Sequence, residues 1–383
     1  MRESLLYVSL RCLKALDRRR PDPSRLGTPA IERILAISST ALGDTLLSTP
    51  GLRSLRLAYP QARISLLSNA AYIGLFATNP DIDEIIPYAG GYRRFFRLAR
   101  ELRKRRFDLA VIFHGNEPQA TPLAYFSGAS FIFKLPNANR FRFLLTNRDP
   151  VKRWEDLGHG IDQRLEVAAL AGGVPTDRRM VMPVLPEQEA SLDTLLARAG
   201  IERGTLLIGL QPGASTASRR WSPENFAELG RRLLAAFPEA RVVLTGSPAE
   251  RKLAEEVASG IASPRTWVAA GRMPLELMPA FFRRLAVLVT GDTGPMHLAV
   301  AVGTSVVALF AVSDWHRSGP AYDLERHFVI QKARTCDPCL SKRCSYVRPP
   351  CMANISVDEV EKAVCKCLAG ECGYVSDDRS MPA

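Results

Sequence analysis

Leu288-Val-Thr-Gly-Asp-Thr-Gly-Pro-Met-His-Leu-Ala-Val-Ala-Val-Gly303 runs from an apolar strand through an abrupt polar turn into a helix. Pro295 stands in the first turn of that helix, where a missing N–H costs nothing. A helix N-terminus wrapped by small residues offers unpaired backbone N–H groups and the positive end of a dipole, which suits a phosphate. Asp292 at the same turn would repel a phosphate, so it fits a neutral partner such as a sugar hydroxyl. A ligand carrying both groups is a nucleotide-sugar.

Leu206-Leu-Ile-Gly-Leu-Gln-Pro-Gly-Ala-Ser-Thr-Ala-Ser-Arg-Arg-Trp-Ser-Pro-Glu-Asn-Phe226 repeats the logic. A buried-type strand leads into a Gly213–Thr216 loop, a basic pair, and a helix that starts with Ser222 as N-cap and Pro223 behind it. Arg219 and Arg220 arrive where the loop leaves the C-terminal end of the strand, the place where open α/β sheets bind ligands. An arginine there can give two parallel hydrogen bonds to a phosphate. Nearer the start, Ile34-Leu-Ala-Ile-Ser-Ser-Thr-Ala-Leu-Gly-Asp-Thr-Leu46 opens a third strand–turn–helix unit, with Gly43 leaving space and Asp44 projecting a carboxylate.

Gly43-Asp44-Thr45, Pro212-Gly213-Ala214 with Arg219-Arg220-Trp221, and Gly291-Asp292-Thr293-Gly294-Pro295-Met296-His297 stand in an order that resembles glycosyltransferase family 9, the heptosyltransferases of lipopolysaccharide core assembly. The resemblance implies an α/β chain of GT-B architecture: two Rossmann-like domains with parallel sheets facing across a cleft. It implies Asp44 as catalytic base, and Asp292, Thr293, Gly294 and His297 as contacts to the donor's sugar and diphosphate. The position of Arg219 is commonly a lysine in the family, so the charge is kept and the shape changed. The activity it implies is inverting, metal-independent transfer of a heptose from ADP-heptose.

At 383 residues, with 46% hydrophobic content, the chain suits two ordinary domains. Strand-then-helix alternation argues for parallel sheets covered on both faces. In the first half the candidate strands are Ile34–Ile37, Arg63–Leu67, Glu84–Ile86 and Leu109–Phe113. In the second they are Leu206–Leu210, Arg241–Leu244, Trp267–Ala269, Val287–Val289 and Ser305–Phe310. The expected division is a basic amphipathic extension (1–32), an acceptor domain (33–185), a linker helix (186–204), a nucleotide-sugar donor domain (205–355), a closing helix (356–370) and a flexible tail (371–383).

The formal charge of +12 bears on partners. Much of it sits in an amphipathic basic helix between Arg93 and Arg106, where Arg97, Arg100 and Arg103 either form a solvated face or meet anionic lipid or a phosphorylated glycolipid acceptor. The leucines of the first sixteen residues read as a helix that packs on the body or lies in a membrane interface. Neither a cleavable signal nor a run of ~20 apolar residues is present, so the expected location is cytoplasmic, peripheral on the inner face of the plasma membrane. Nucleic acid is not an expected partner, because zinc-finger and RNP patterns are missing.

Several residues carry two readings. Asp44 serves as base or as N-cap of a helix beginning at Thr45. Glu250 reaches the ribose or complements a helix dipole. His297 touches the donor or is structural, and Ser215 and Thr216 add hydroxyls for phosphate. Trp221 reads as a packing anchor. Asp81-Ile-Asp83 has the form of a metal-binding pair but reads as the polar approach to a strand. No cofactor is required for the chemistry, since backbone N–H groups and an arginine can meet the leaving diphosphate. Cys336, Cys339, Cys344 and Cys351 could hold a structural metal, and the late cysteines favour metal or free thiols before disulfides. The competing functions are a GT-B sugar-nucleotide epimerase and a basic lipid- or nucleic-acid-binding module.

Overall fold

The computed structural model describes residues 2–19, 21–91, 94–115, 119–135, 140–148, 151–153, 156–336, 344, 346 and 349–377. They form two compact units, Met1–Val181 and Met182–Ala383.

The first unit runs α1 (Arg2–Ala15), β1 (Arg33–Ser38), α2 (Leu42–Ala58), β2 (Arg63–Asn69), α3 (Ile73–Phe76), β3 (Glu84–Tyr88), α4 (Phe95–Lys104), β4 (Leu109–His114), α5 (Ala120–Phe126), β5 (Phe131–Lys134) and α6 (Gly160–Leu170). Its sheet has the order β3-β2-β1-β4-β5 with every pairing parallel. Ile34, Ala36, Leu109 and Val111 face a core completed by Leu52 and Leu55 of α2 and by Val167 and Ala168 of α6. Leu35, Ile37, Ala110 and Ile112 face the opposite core, closed by α1, α4 and α5. Burial on both faces explains why these strands read as unbroken apolar runs. The chain order reverses between β1 and β4, so their C-terminal ends flank the crevice where such sheets bind ligands.

The second unit runs α7 (Pro186–Arg198), β6 (Leu206–Gln211), α8 (Pro223–Ala236), β7 (Ala240–Leu244), α9 (Arg251–Ile261), β8 (Thr266–Val268), α10 (Met278–Arg284), β9 (Val287–Gly291), α11 (Gly294–Ala301), β10 (Ser305–Phe310), α12 (Trp315–Ser318), β11 (His327–Gln331), α13 (Pro350–Ala353), α14 (Val357–Leu368) and β12 (Tyr374–Asp377). Its sheet has the order β12-β11-β10-β9-β6-β7-β8 and its pairings are parallel. The reversal here falls between β6 and β9. The helix read as a linker packs within this unit, where Gln188 of α7 donates to the Glu276 carbonyl at 2.7 Å.

Trp221 is the packing anchor its sequence context suggested: it is buried against Phe226, and its Nε1 donates to the Ile355 carbonyl at 2.9 Å. That bond ties the loop after β6 to the segment before α14, whose N-terminus is closed by a Ser356–Glu359 capping box. Trp221→Phe keeps most of the bulk but strands a buried carbonyl, which should cost ~1–3 kcal/mol, read as a lower denaturant midpoint at unchanged m.

The tail differs from its expectation. Residues 374–377, read as part of a flexible end, pair with β11 in register Phe328↔Tyr374. Cys367 and Cys372 are joined by a disulfide, where the cysteine pattern had suggested metal or free thiols. The strands β5 and β11 were not among those expected.

Candidate active site

Both reversal points carry polar residues, and each is built by its own unit. In the first, β1 ends at Ser38 and the chain turns through Thr40 into α2. The N-cap of α2 is Ala41, which has no polar side chain to offer. Asp44, in the first helical turn, accepts from the Ala41 N–H, the half of a capping box that runs back from the helix to its cap. Asp44 is therefore not the N-cap of a helix beginning at Thr45; it reaches back to the cap from inside the helix.

Its carboxylate gathers three further partners. Thr40 Oγ1 donates to Oδ2 at 2.7 Å, Arg164 Nη2 donates to Oδ1 at 3.1 Å, and His114 Nδ1 lies 3.5 Å from Oδ2. Thr40 Oγ1 is also 2.7 Å from His114 Nδ1. With its single hydrogen directed to Asp44, the Thr40 hydroxyl must accept from His114, which assigns the Nδ1–H form to that ring. Arg164 comes from α6, which opens with His159 Nδ1 accepting from the Ile161 N–H at 3.1 Å. The Arg164 side chain is 6% exposed; Nη1 donates to the Gly160 carbonyl, and the buried Nε has no partner among the described residues.

Burial pushes the Asp44 pKa up. The neighbouring His114 and Arg164, the Thr40 hydroxyl and the Ala41 N–H together outweigh it and hold the carboxyl below its ordinary value. The group is thus an oriented carboxylate at neutral pH, 26% exposed. Thr40, His114 and Arg164 were not singled out in the sequence. His114 had a weak signal, being polar at the C-terminal end of an apolar strand; Arg164 had none.

In the second unit, Gln211 at the end of β6 accepts from Thr245 Oγ1 at 2.6 Å and donates to the Gly213 carbonyl at 3.3 Å, tethering the loop that follows. A Cβ on Gly213 would lie 2.0 Å from Glu250 Oε1, so only glycine lets this loop meet Glu250. Glu250 also accepts from the Ser247 N–H and hydroxyl, both at 2.8 Å, the helix-start role that was one of its two readings. Ser215 is exposed and Thr216 partly buried, its hydroxyl 3.1 Å from that of Ser218.

The two arginines part company. Arg220 turns back, its Nε and Nη2 donating to the Ala214 carbonyl at 3.0 and 2.8 Å. Arg219 crosses to β9, with Nη1 3.3 Å from Asp292 Oδ2. The approach depends on Gly291, where a Cβ would lie 2.6 Å from the Arg219 carbonyl. Thr293 caps α11, its Oγ1 accepting from the Met296 N–H at 3.4 Å and lying 2.9 Å from Thr290 Oγ1. Gly294 and Pro295 form the first turn, and His297 is buried one turn on. The Asp292 carboxylate is thus neutralised by an arginine beside a helix N-terminus.

Asp81 and Asp83 are occupied by arginines: Arg53 Nε donates to both Asp81 oxygens at 2.8 Å, and Arg56 pairs with Asp83. Among the described residues no group of three or more His, Cys, Asp or Glu is placed to hold a metal. Cys336, Cys344 and Cys351 are not gathered into such a group, and Cys339 lies outside the described residues. Among the described residues no helix is long and apolar enough to cross a membrane. Arg97, Arg100 and Arg103 are exposed on α4, on the side of the sheet away from α2 and α6.

Residues 95–348 match the model of glycosyltransferase family 9 (heptosyltransferase). The lipopolysaccharide heptosyltransferase 2 of Salmonella typhimurium is 26% identical over 296 residues, covering 73% of this chain and 83% of that protein. The solved glycosyltransferase family 9 structure from Veillonella parvula superposes with a TM-score of 0.75 at 24% identity, over 88% of this chain and 97% of the other. The E. coli ADP-heptose lps heptosyltransferase II structure gives 0.72 at 22% identity, over 88% and 99%. These likenesses place the two parallel sheets in the GT-B fold class. The chain belongs to glycosyltransferase family 9, the heptosyltransferase family, and is a glycosyltransferase.

Proposed function

We propose that the protein transfers a heptose from ADP-heptose to a phosphorylated lipopolysaccharide-core glycolipid, or a related glycan, with inversion and without a metal ion. The reading is carried by the Asp44 carboxylate, ionised and oriented by Arg164, Thr40 and His114 at the reversal point of its sheet. In this reading an acceptor hydroxyl attacks the anomeric carbon and loses its proton to Asp44 as the bond to the diphosphate breaks. One displacement inverts the centre. ADP leaves with the bonding electron pair, and Arg219 together with the N–H groups at the start of α11 meets its charge.

Arg219 would exchange Asp292 for phosphate oxygens, which frees the Asp292 carboxylate for a sugar hydroxyl. His297, Thr293 and Gly294 complete the donor contacts. Ser215 and Thr216 add hydroxyls, and Glu250, beside Gly213, accepts from the ribose. Arginine and helix terminus supply the positive potential that a divalent ion brings in other transferases. Support comes from membership of the family and from relatives named as lipopolysaccharide heptosyltransferases.

Thermal-shift measurement across a nucleotide-sugar panel tests the donor, because a ligand that binds only the native state raises its melting temperature. ADP-heptose should give the largest rise, and ADP release should require an acceptor and persist in excess EDTA. A rise with another sugar nucleotide and none with ADP-heptose, or loss of turnover in EDTA, would overturn the reading.

Arg164 and His114 both hold the Asp44 pKa down. Replacing Arg164 by Gln removes one lowering charge while burial still acts upward, so the Asp44 pKa must rise. The acid limb of the kcat/KM profile should move to higher pH, with activity partly regained as the pH is raised. An unmoved limb would mean that the limb does not report Asp44.

A further inference from the structure

Three strands of the first sheet begin on a charged residue: Arg33 of β1, Arg63 of β2 and Glu84 of β3. This is the end of the sheet opposite Asp44, which follows the other end of β1. Strand alternation puts Arg33 on one face with Leu35 and Ile37, Arg63 with Ser65 and Leu67, and Glu84 with Ile86 and Tyr88. The apolar members of all three sets lie in the core that α4 closes, so the polar members open beside the C-terminal end of that helix. Lys104 ends α4, and Arg105 and Phe107 lead from it into β4. Together these residues line a bay of about 260 Å³.

The charges in the bay do not balance. Arg33, Arg63, Lys104 and Arg105 meet a single carboxylate, and Glu84 is already spent. Its Oε1 accepts from Arg105 Nε and Nη2 at 3.2 and 3.0 Å, its Oε2 accepts from Ser65 Oγ at 3.1 Å, and Arg63 Nε stands 3.6 Å away. The neighbouring carboxylates are engaged elsewhere. Asp83 takes Arg56 and the Ile64 N–H, and Asp108 takes Arg25 and the N–H groups of Glu32 and Arg33. Glu101, one turn back on α4, gives Arg105 its carbonyl. The Arg33 guanidinium donates to the Arg105 carbonyl at 3.2 Å, and neither it nor Lys104 has an ion pair among the described residues. Arg33 and Arg63 are moreover neighbours across β1 and β2, in register Arg33↔Arg63. Like charges side by side on adjacent strands repel.

We propose that this bay binds a soluble diphosphate, its oxygens shared among Arg33, Arg63 and Lys104. Three unneutralised cations call for a multiply charged ligand, which a diphosphate is and a carboxylate or chloride is not. Arginine forks suit phosphate because each can give two parallel hydrogen bonds to its oxygens. The bound anion removes the repulsion between the two arginines and ties the starts of β1 and β2 to the end of α4. No residue of the second unit takes part, so the site is separate from the donor contacts and goes beyond the transfer reaction.

Thermal shift and equilibrium dialysis of the full chain with inorganic pyrophosphate, at an ionic strength held constant with sodium chloride, test it. The proposed donor site also attracts a diphosphate, so the Arg219→Gln variant is the background for the measurement. There pyrophosphate should still raise the melting temperature. Adding Arg33→Gln/Arg63→Gln should abolish that rise and weaken binding about tenfold for each arginine. Without ligand the added substitutions should leave the melting temperature no lower, because they remove a repulsion. Arg33→Lys/Arg63→Lys should keep part of the binding, since the charge stays and the fork is lost. An equal rise with sodium chloride alone, or a rise untouched by Arg33→Gln/Arg63→Gln, would overturn the proposal. A lower melting temperature without ligand would make the arginines structural and overturn it too. So would capture of the chain by phosphatidylglycerol vesicles through these arginines with no uptake of pyrophosphate, since the ligand would then be a headgroup. No sugar nucleotide is added, so each result stands whether or not the heptose reading holds.

Discussion

Asp44→Asn should lower turnover by ~10²–10⁴-fold while leaving the donor-induced rise in melting temperature in place. Asparagine keeps the shape and the acceptor oxygen but cannot take up a proton from an acceptor hydroxyl. The proposed donor contacts all come from the second unit, so donor binding should survive. The baseline stability should fall, because Arg164 is buried and its charge would lose the carboxylate facing it. Three readouts therefore separate the roles. Lost turnover with a retained donor shift marks Asp44 as the base. Loss of both marks it as a structural counter-ion for Arg164. Retained turnover removes it from the chemistry. The pH profile adds a check: the parent's acid limb, set by a carboxyl held below its ordinary value, should vanish from whatever activity the variant keeps.

Segments punctuated as strand, small-residue turn and capped helix were readable without coordinates. Val287–Gly291 into α11 and Leu206–Gln211 through the loop to α8 are the clearest cases, because Pro295, Ser222 and Pro223 mark helix starts by chemistry that acts locally. Strands whose existence depends on distant pairing were not readable. Phe131–Lys134 has only four residues, and Tyr374–Asp377 is a polar end of chain that becomes a strand only because β11 offers it an edge. His327–Gln331 hides a histidine at its start, and burial lowers that ring's pKa to about 4, a cost no local pattern announces.

The same division runs through the site. Asp44, Asp292 and Arg219 sit in turns with recognisable punctuation. Arg164 does not: it reaches Asp44 from 120 positions away because α6 packs on α2, and nothing in Gly160–Leu170 marks one arginine as facing a carboxylate. The basic pair shows how far a local reading extends. Sequence placed both arginines at the end of β6, but their split between Ala214 and Asp292 depends on the close approach allowed at Gly291.

That split makes Arg219 the second position where a large effect is expected. Arg219→Gln should reduce kcat/KM by ~10²–10³-fold, the loss typical of removing one preorganised donor from a developing negative charge. Unlike Asp44→Asn, it should also shrink the donor-induced thermal shift, because the phosphates are charged before the reaction as well as during it. Arg219→Lys should recover part of both: the charge returns, but the planar fork that can bind two phosphate oxygens does not. Arg220→Gln is the contrast, since that guanidinium is spent on the Ala214 carbonyl and should act on loop order rather than on phosphate charge. Part of the Arg219→Gln defect comes from Asp292, whose carboxylate would then face the diphosphate unneutralised. Adding Asp292→Asn should relieve that repulsion, so the double variant should lose less than the product of the two single losses. Losses that simply multiply would place Arg219 and Asp292 in independent roles, and Arg219 would then no longer be the residue that trades an aspartate for a phosphate.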